Sequence, residues 1–331
     1  MREKSQPAIS SRPSQGRSGL LGQLQAYTIW VFLALLILVM SLISPNFMTL
    51  QNFSTVFKNL ASIALLAIGL TFVFLGGGFD LSQGATLILS ATLIVSINPS
   101  GALFFIGTLL LIFSVAFTIG AFNGYLIGVH RLNSFIVTLA SRSIVGGFVF
   151  IHAAGMVVSA ARQGPILEFI GLDRVFGIPV ITVIWVVAAA VSWYVIKYTP
   201  YSRKIAVVGS SARVAGFSGL RVERLQMSTY VFNALLAGFG GILIGCQTSH
   251  MAPALVWHYD FDAITACAVG GISLSGGRGT ILNTLSGVLF LGFINNSMIL
   301  IGVPYRWQLI LKGLILLLAI IADMQTKKNY G

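Results

Sequence analysis

Apolar residues recur along the chain in runs close to the roughly 20 residues that a helix needs to cross a bilayer. The runs lie at about 27–43, 60–78, 84–97, 101–128, 132–152, 178–197, 226–247, 262–274, 280–301 and 306–322. Short polar stretches separate them. No segment alternates apolar and polar positions over the length that a membrane barrel strand requires. The pattern predicts an all-α, polytopic bundle of about ten transmembrane helices. The third and eighth runs are short, which predicts broken or partly re-entrant helices. A bilayer tolerates such breaks only where protein or a water-filled cavity covers the free backbone groups.

Composition carries the same message. Hydrophobic residues make up 56% of the 331 residues and charged residues only 8%, against roughly a quarter charged in soluble domains. Residues 1–25 are polar and rich in Ser, Gln, Pro and Arg, so they read as a disordered tail. Residues 26–323 form the membrane domain, and 324–331 a second polar tail. Basic residues precede the first apolar run, but no small-residue cleavage pattern follows it, so the first helix is expected to be retained.

The basic residues orient the bundle. With the N-terminus in the cytoplasm and ten spans, the C-terminus returns to the same side. Arg131, Lys197, Arg203, Lys204, Arg213, Arg221, Arg224 and Arg278 then all face the cytoplasm, as do both tails, while Lys58, Arg162, Arg174 and Arg306 face outward. The net charge of +12 is therefore a topology signal and an attraction to anionic lipid, not a nucleic-acid footprint.

Two loops are long enough to carry work. Residues 153–177 are expected outside, their charges balanced by Arg162, Glu168, Asp173 and Arg174. Residues 198–225 are expected inside and are strongly basic. Within them Ser211 can cap a short helix that Gly219 ends. That predicts a docking element built from Arg203, Ser211, Arg213, Val214, Phe217 and Gly219. An internal echo adds a second signal: Gly77–Gly84 aligns with Gly270–Gly277, five of eight positions being identical. Gly-interrupted segments at matching places point to a transport path.

Catalytic chemistry is missing from the pattern. The chain has no phosphate-binding loop, no metalloprotease or nucleophile-elbow motif and no metal-ligand spacing among its cysteines and histidines. The acids Glu3, Asp80, Glu168, Asp173, Glu223, Asp260, Asp262 and Asp323 all fall in loops or at predicted helix ends. A proton- or sodium-coupled carrier buries an acid in a span, so energy is expected from another subunit. Asn123, Asn233, Gln247, Asn283, Asn295, Asn296 and Gln308 lie in or near spans, where such groups glue helices together or line a path. Arg142 sits near the middle of the fifth run and needs a polar partner. Asp80 and the carbonyls around Gly76–Gly78 are the candidates.

The chain resembles the permease subunits of ribose-type monosaccharide ABC importers over nearly all of residues 27–323. The resemblance rests on Gly78–Ser82, Asn123-Gly124, Phe135–Leu139, Tyr259–Ile264, Gly270–Thr280, Gln308 and Lys312-Gly313, in that order. The arginine usual in that family falls at Gly146 here, and Arg142 lies one turn earlier on the same face. The resemblance implies a pair of permeases, identical or not, and cytoplasmic ATP-binding subunits that hold ATP and Mg. It also implies a periplasmic or extracellular sugar-binding protein, and a place in the bacterial inner membrane. No cofactor is expected on this chain. The candidate substrate path is Asp80, Ser82, Asn123, Phe135, Thr138, Arg142, Asn296 and Gln308. A secondary carrier or passive channel for a small polar solute is the alternative. A membrane-embedded enzyme would need a polar catalytic constellation inside the spans.

Overall fold

The computed structural model describes residues 15–330 apart from Ala161 and residues 255–258. Its helices are α1 (Gln15–Ile43), α2 (Leu50–Leu75), α3 (Gln83–Ile97), α4 (Ala102–Gly128), α5 (Ser134–His152), α6 (Pro165–Leu172), α7 (Val180–Tyr198), α8 (Pro200–Ser210), α9 (Ala212–Phe217), α10 (Val222–Thr248), α11 (Tyr259–Val269), α12 (Ile281–Leu300) and α13 (Tyr305–Tyr330). Each of the ten apolar runs contains a helix. Seven helices are long and apolar enough to cross a membrane: α2, α4, α5, α7, α10, α12 and Tyr305–Ala322 of α13. Thr28–Ile43 of α1 and α3 are shorter apolar helices. The chain is an all-α, multi-pass membrane protein. Of the expected tail over residues 1–25, the part before Gln15 lies outside the described residues.

Helix α2 is the spine, buried almost throughout from Leu60 to Leu75. Helix α10 packs against it and against α3 and α4. Close approach to α4 comes from Gly120, Gly124 and Gly128, spaced one turn apart. A methyl group on any of them would come within 2.9 Å of the α10 backbone. Small residues at this spacing let membrane helices pack where no hydrophobic effect drives them together. Helices α4, α5 and α13 turn large apolar side chains outward, including Leu110, Phe148 and Leu318. A soluble protein could not leave so much apolar surface uncovered.

The two ends of the bundle differ. At one end lie α8 and α9. At the other, β1 (Val158–Ser159) pairs antiparallel with β4 (His250–Met251), joining the loop after α5 to the end of α10. A second small ribbon pairs β2 (Arg174–Val175) with β3 (Ile178–Pro179). These short strands and α6 are additions to the all-helical expectation.

Both short runs are half-helices. Helix α3 has 15 residues and α11 has 11, so each rises only about 16–23 Å at 1.5 Å per residue. Their N-termini meet inside the bundle, where the Gly84 N–H donates to Asp260 Oδ1 at 2.5 Å. From there α3 runs toward the strands and α11 toward α8.

Candidate functional site

Helix α2 stops at Gly76, followed by Gly77 at φ 74°. The chain then turns inward through Gly78, Phe79 and Asp80 to start α3. This turn exposes backbone groups that other helices must satisfy. The Phe79 N–H donates to Ser134 Oγ at 3.2 Å, and its carbonyl accepts from Thr138 and Tyr230, each at 3.4 Å.

Asp80 is buried, with Oδ1 accepting from the Ser82 N–H at 2.8 Å and from Ser82 Oγ at 2.6 Å. Asn233 of α10 donates to its Oδ2 at 2.9 Å. Asn123 of α4 donates to Ser82 Oγ at 2.9 Å, and Ser141 of α5 donates to Asn123 Oδ1. One hydrogen-bonded chain thus ties α10, the start of α3, α4 and α5 together. Its carboxyl group sits at the N-terminus of α3, where the helix dipole favours negative charge.

The next residue on α5 makes the second tie. Arg142 Nε lies 2.7 Å from Asp260 Oδ2, with both side chains buried, and its guanidinium lies 5.5 Å from the Phe261 ring centre. Since Asp260 also accepts the Gly84 N–H, it joins the starts of both half-helices to α5. Two expectations are corrected here. Acids are buried in the bundle, because α11 begins inside it and a helix end need not be a surface position. The ion pair of Arg142 is with Asp260, a residue not among the expected partners, while the Asp80 carboxylate is engaged by Ser82 and Asn233.

Of the candidate path residues, Asp80, Ser82, Asn123, Thr138 and Arg142 gather around the two breaks. Phe135 lies at their edge, its ring 5.9 Å from Phe79. Two others are elsewhere. Asn296 exchanges hydrogen bonds with Asn52 of α2 at 2.8 and 3.0 Å, and Gln308 donates to the Val303 carbonyl at the start of α13.

A second polar region opens beside the first. Lys312 of α13 pairs with Asp262 of α11 at 3.0 Å, each side chain 22% exposed. Asp262 lines three neighbouring hollows of about 70, 320 and 210 Å³. The largest is also lined by Asn59, Gln247, Tyr259 and Tyr305, and Gln247 Nε2 donates to Asn59 Oδ1 at 2.7 Å. Sequence reasoning missed this region. Its signal was present in Asp262 and Lys312, each inside a stretch that carried the family resemblance.

The loop 198–225 folds into two helices. Pro200 opens α8, a helix the hydropathy pattern did not disclose although proline at a first helical position is a start signal. Helix α9 has the expected cap, Ser211 Oγ accepting the Val214 N–H at 3.3 Å, and Gly219 closes it at φ 76°. Arg203, Arg213, Val214 and Phe217 are exposed, Phe217 at 86%. Burial pushes the Tyr201 phenol of α8 up, opposed by its 2.7 Å bond to Ser228.

The two Gly-rich octapeptides meet at this loop. The Gly277 N–H donates to the Leu75 carbonyl at 3.2 Å. A methyl group on Gly209 of α8 would overlap the Leu75 carbonyl oxygen, and one on Gly276 would stand 2.7 Å from the Gly209 oxygen. The end of α2, the segment after α11 and α8 are therefore in backbone contact. No group of three or more potential metal ligands occurs among the described residues.

Comparison with known proteins adds the last finding. The family model described as "Branched-chain amino acid transport system / permease component" matches residues 52–320. Ribose import permease protein RbsC of Bacillus subtilis is 32% identical over 302 residues, covering 91% of this chain and 94% of that protein. The L-arabinose ABC transporter permease protein AraH of Azospirillum brasilense is 29% identical, covering 98% and 94%. The galactose/methyl galactoside import permease protein MglC of Escherichia coli K12 is 28% identical, covering 93% and 96%. No solved structure gives a significant match.

Proposed function

The chain belongs to the branched-chain amino acid transport system / permease component family, and from that premise we propose that it is the membrane-spanning subunit of an ATP-binding-cassette importer for a monosaccharide or similar small polyol. The observation that carries this reading is near-full-length similarity to permeases named for ribose, arabinose and galactose. The protein moves its solute without changing it chemically. ATP and Mg are held by a cytoplasmic ATP-binding partner, and an outer binding protein delivers the sugar. A second permease, the same chain or a relative, completes the channel.

In this reading ten helices cross the bacterial inner membrane, with both termini in the cytoplasm. The basic loop after α7 then faces the ATPase. Its cap and its exposed Val214 and Phe217 support a docking role, with Arg203 and Arg213 supplying orientation. Movement of α9 passes to α8 and, through Gly209, to the end of α2 and the segment after α11. Alternating access needs rigid parts and two discrete arrangements. The network around Asp80 and Asp260 keeps the half-helices rigid while the bundle rocks.

The buried Asp80 and Asp260 bear on the rival reading, an ion-coupled carrier, which uses such acids to hold its coupling ion. Both carboxylates here are already engaged, one by Ser82 and Asn233 and the other by Arg142 and Gly84. Purified chain alone in proteoliposomes tests the choice. It is expected to hydrolyse no ATP and to accumulate no sugar under a proton or sodium gradient. Gradient-driven accumulation by the lone chain would establish the carrier instead.

A further inference from the structure

We propose that the hollow around the Asp262–Lys312 pair is a direct contact site for a neutral monosaccharide on its way through the protein. This deepens the transport reading above and rests on it.

Asp262 and Lys312 belong to α11 and to the apolar part of α13, and both remain partly open. A charge open to lipid tails is costly, so a pair inside membrane helices faces water or protein. The hollows beside it supply the space. The 320 Å³ hollow lies at the small end of the roughly 300–1,000 Å³ range of ligand sites, which suits a single sugar ring better than an oligosaccharide.

The walls carry chemistry that suits a sugar. In the 320 Å³ hollow the Asp262 carboxylate accepts from hydroxyls and the Asn59–Gln247 amides can donate and accept, while the Lys312 ammonium donates in the two smaller hollows that share Asp262. Tyr259 and Tyr305 bring apolar ring faces with polar tips, which match a molecule having C–H faces and a hydroxyl rim. The pair is neutral overall, so it offers no net attraction to an anion or a cation. A neutral polyhydroxylated ring fits this set.

Asp80 is buried and both its carboxylate oxygens are bonded to protein, so a sugar there would have to displace existing partners. At the Asp262 hollow the polar groups are partly exposed and face open volume. The sugar therefore touches the α2, α10, α11 and α13 walls, while the buried network frames them.

A cysteine test separates this site from the general reading. Cys246 and Cys267 are buried, whereas Tyr305 is 58% exposed, so a Tyr305→Cys chain gives one reactive position. It is assembled with its ATPase in proteoliposomes, supplied with its binding protein outside, and treated from outside with a membrane-impermeant thiol reagent, with and without ribose, arabinose or galactose. The expected result is labelling that slows at least about three-fold with whichever sugar the wild-type assembly takes up, and not with the others. Labelling that a transported sugar leaves unchanged, or no labelling at all, would overturn the site while leaving transport standing. If the wild-type assembly takes up no monosaccharide, the transport reading fails and the site fails with it. In the second arm, Asp262→Asn is expected to change the preference among the three sugars by about ten-fold, and an unchanged preference would count against contact.

Discussion

Asp260 and Asp262 stand two residues apart in the first turn of α11, yet they live in different surroundings. Asp260 is fully buried, bonded to the start of α3 and paired with Arg142 at 2.7 Å. Asp262 is partly open, lines three hollows and pairs with Lys312 at 3.0 Å. Two positions along a helix turn a side chain about 200° round the axis, so one face of α11 meets the frame and the other meets the cavity. Identical chemistry is held rigid on one face and left available on the other. Breaking the first ion pair strands a buried charge, whereas breaking the second leaves a charge that solvent can reach. Those costs differ severalfold.

The largest effect is expected on the buried side. Arg142→Met leaves Asp260 buried without its counter-charge, which costs about 3–5 kcal/mol. Thermal unfolding in detergent should show a large loss, and sugar uptake by the assembled importer should disappear. Adding Asp260→Leu to that variant sharpens the point, since an apolar pair of suitable volume commonly restores stability. Recovered stability without recovered uptake would locate the functional need in the charges. Normal uptake by Arg142→Met would end the bracing role.

Next in size is a break in the coupling loop, remote from both aspartates. Val214→Pro removes the N–H that Ser211 caps and distorts a six-residue helix, costing about 3 kcal/mol locally. Membrane insertion should survive while the purified permease no longer retains its ATPase on gel filtration. Co-elution at wild-type levels would remove α9 from the contact.

Gly209→Ala tests the link between that loop and the half-helices. The added methyl overlaps the Leu75 carbonyl, and overpacking of this kind costs about 1–3 kcal/mol. ATP hydrolysis by the assembly should continue while sugar moved per ATP falls. Unchanged coupling would show that motion reaches the breaks by another route.

The smallest stability effect belongs to Asp262→Asn. A partly exposed pair contributes about 0–1 kcal/mol, so the unfolding midpoint should barely move while uptake selectivity changes. A stability loss equal to that of Arg142→Met would erase the distinction between the two faces of α11.

Much of the architecture is readable from the chain, for definite reasons. A bilayer-spanning helix must be apolar along its whole length, so hydropathy marks each run. A helix too short to cross, such as α3 or α11, announces a break. The short helix α9 is readable because Ser211 and Gly219 are local signals. Long-range partners are another matter. Asp260 looks like a loop residue in sequence, since nothing local says that α11 begins inside the protein. The pairing of Arg142 with it spans more than a hundred residues. Asn296 and Gln308 looked alike as polar residues in spans, yet one bonds across to α2 and the other to its own loop. The hollow at Asp262 needs four helices to exist at all, which is why only its motif residues were visible beforehand.

The most direct measurement of the central claim is accumulation of a labelled monosaccharide by proteoliposomes. They would hold this chain with its ATP-binding partner, and sugar-loaded binding protein would be supplied outside. The account predicts a sugar concentration inside well above that outside, only with ATP and Mg on the ATPase side and unaffected by collapsing ion gradients. Accumulation that persists without ATP, or that vanishes when the ion gradient is collapsed, would contradict it.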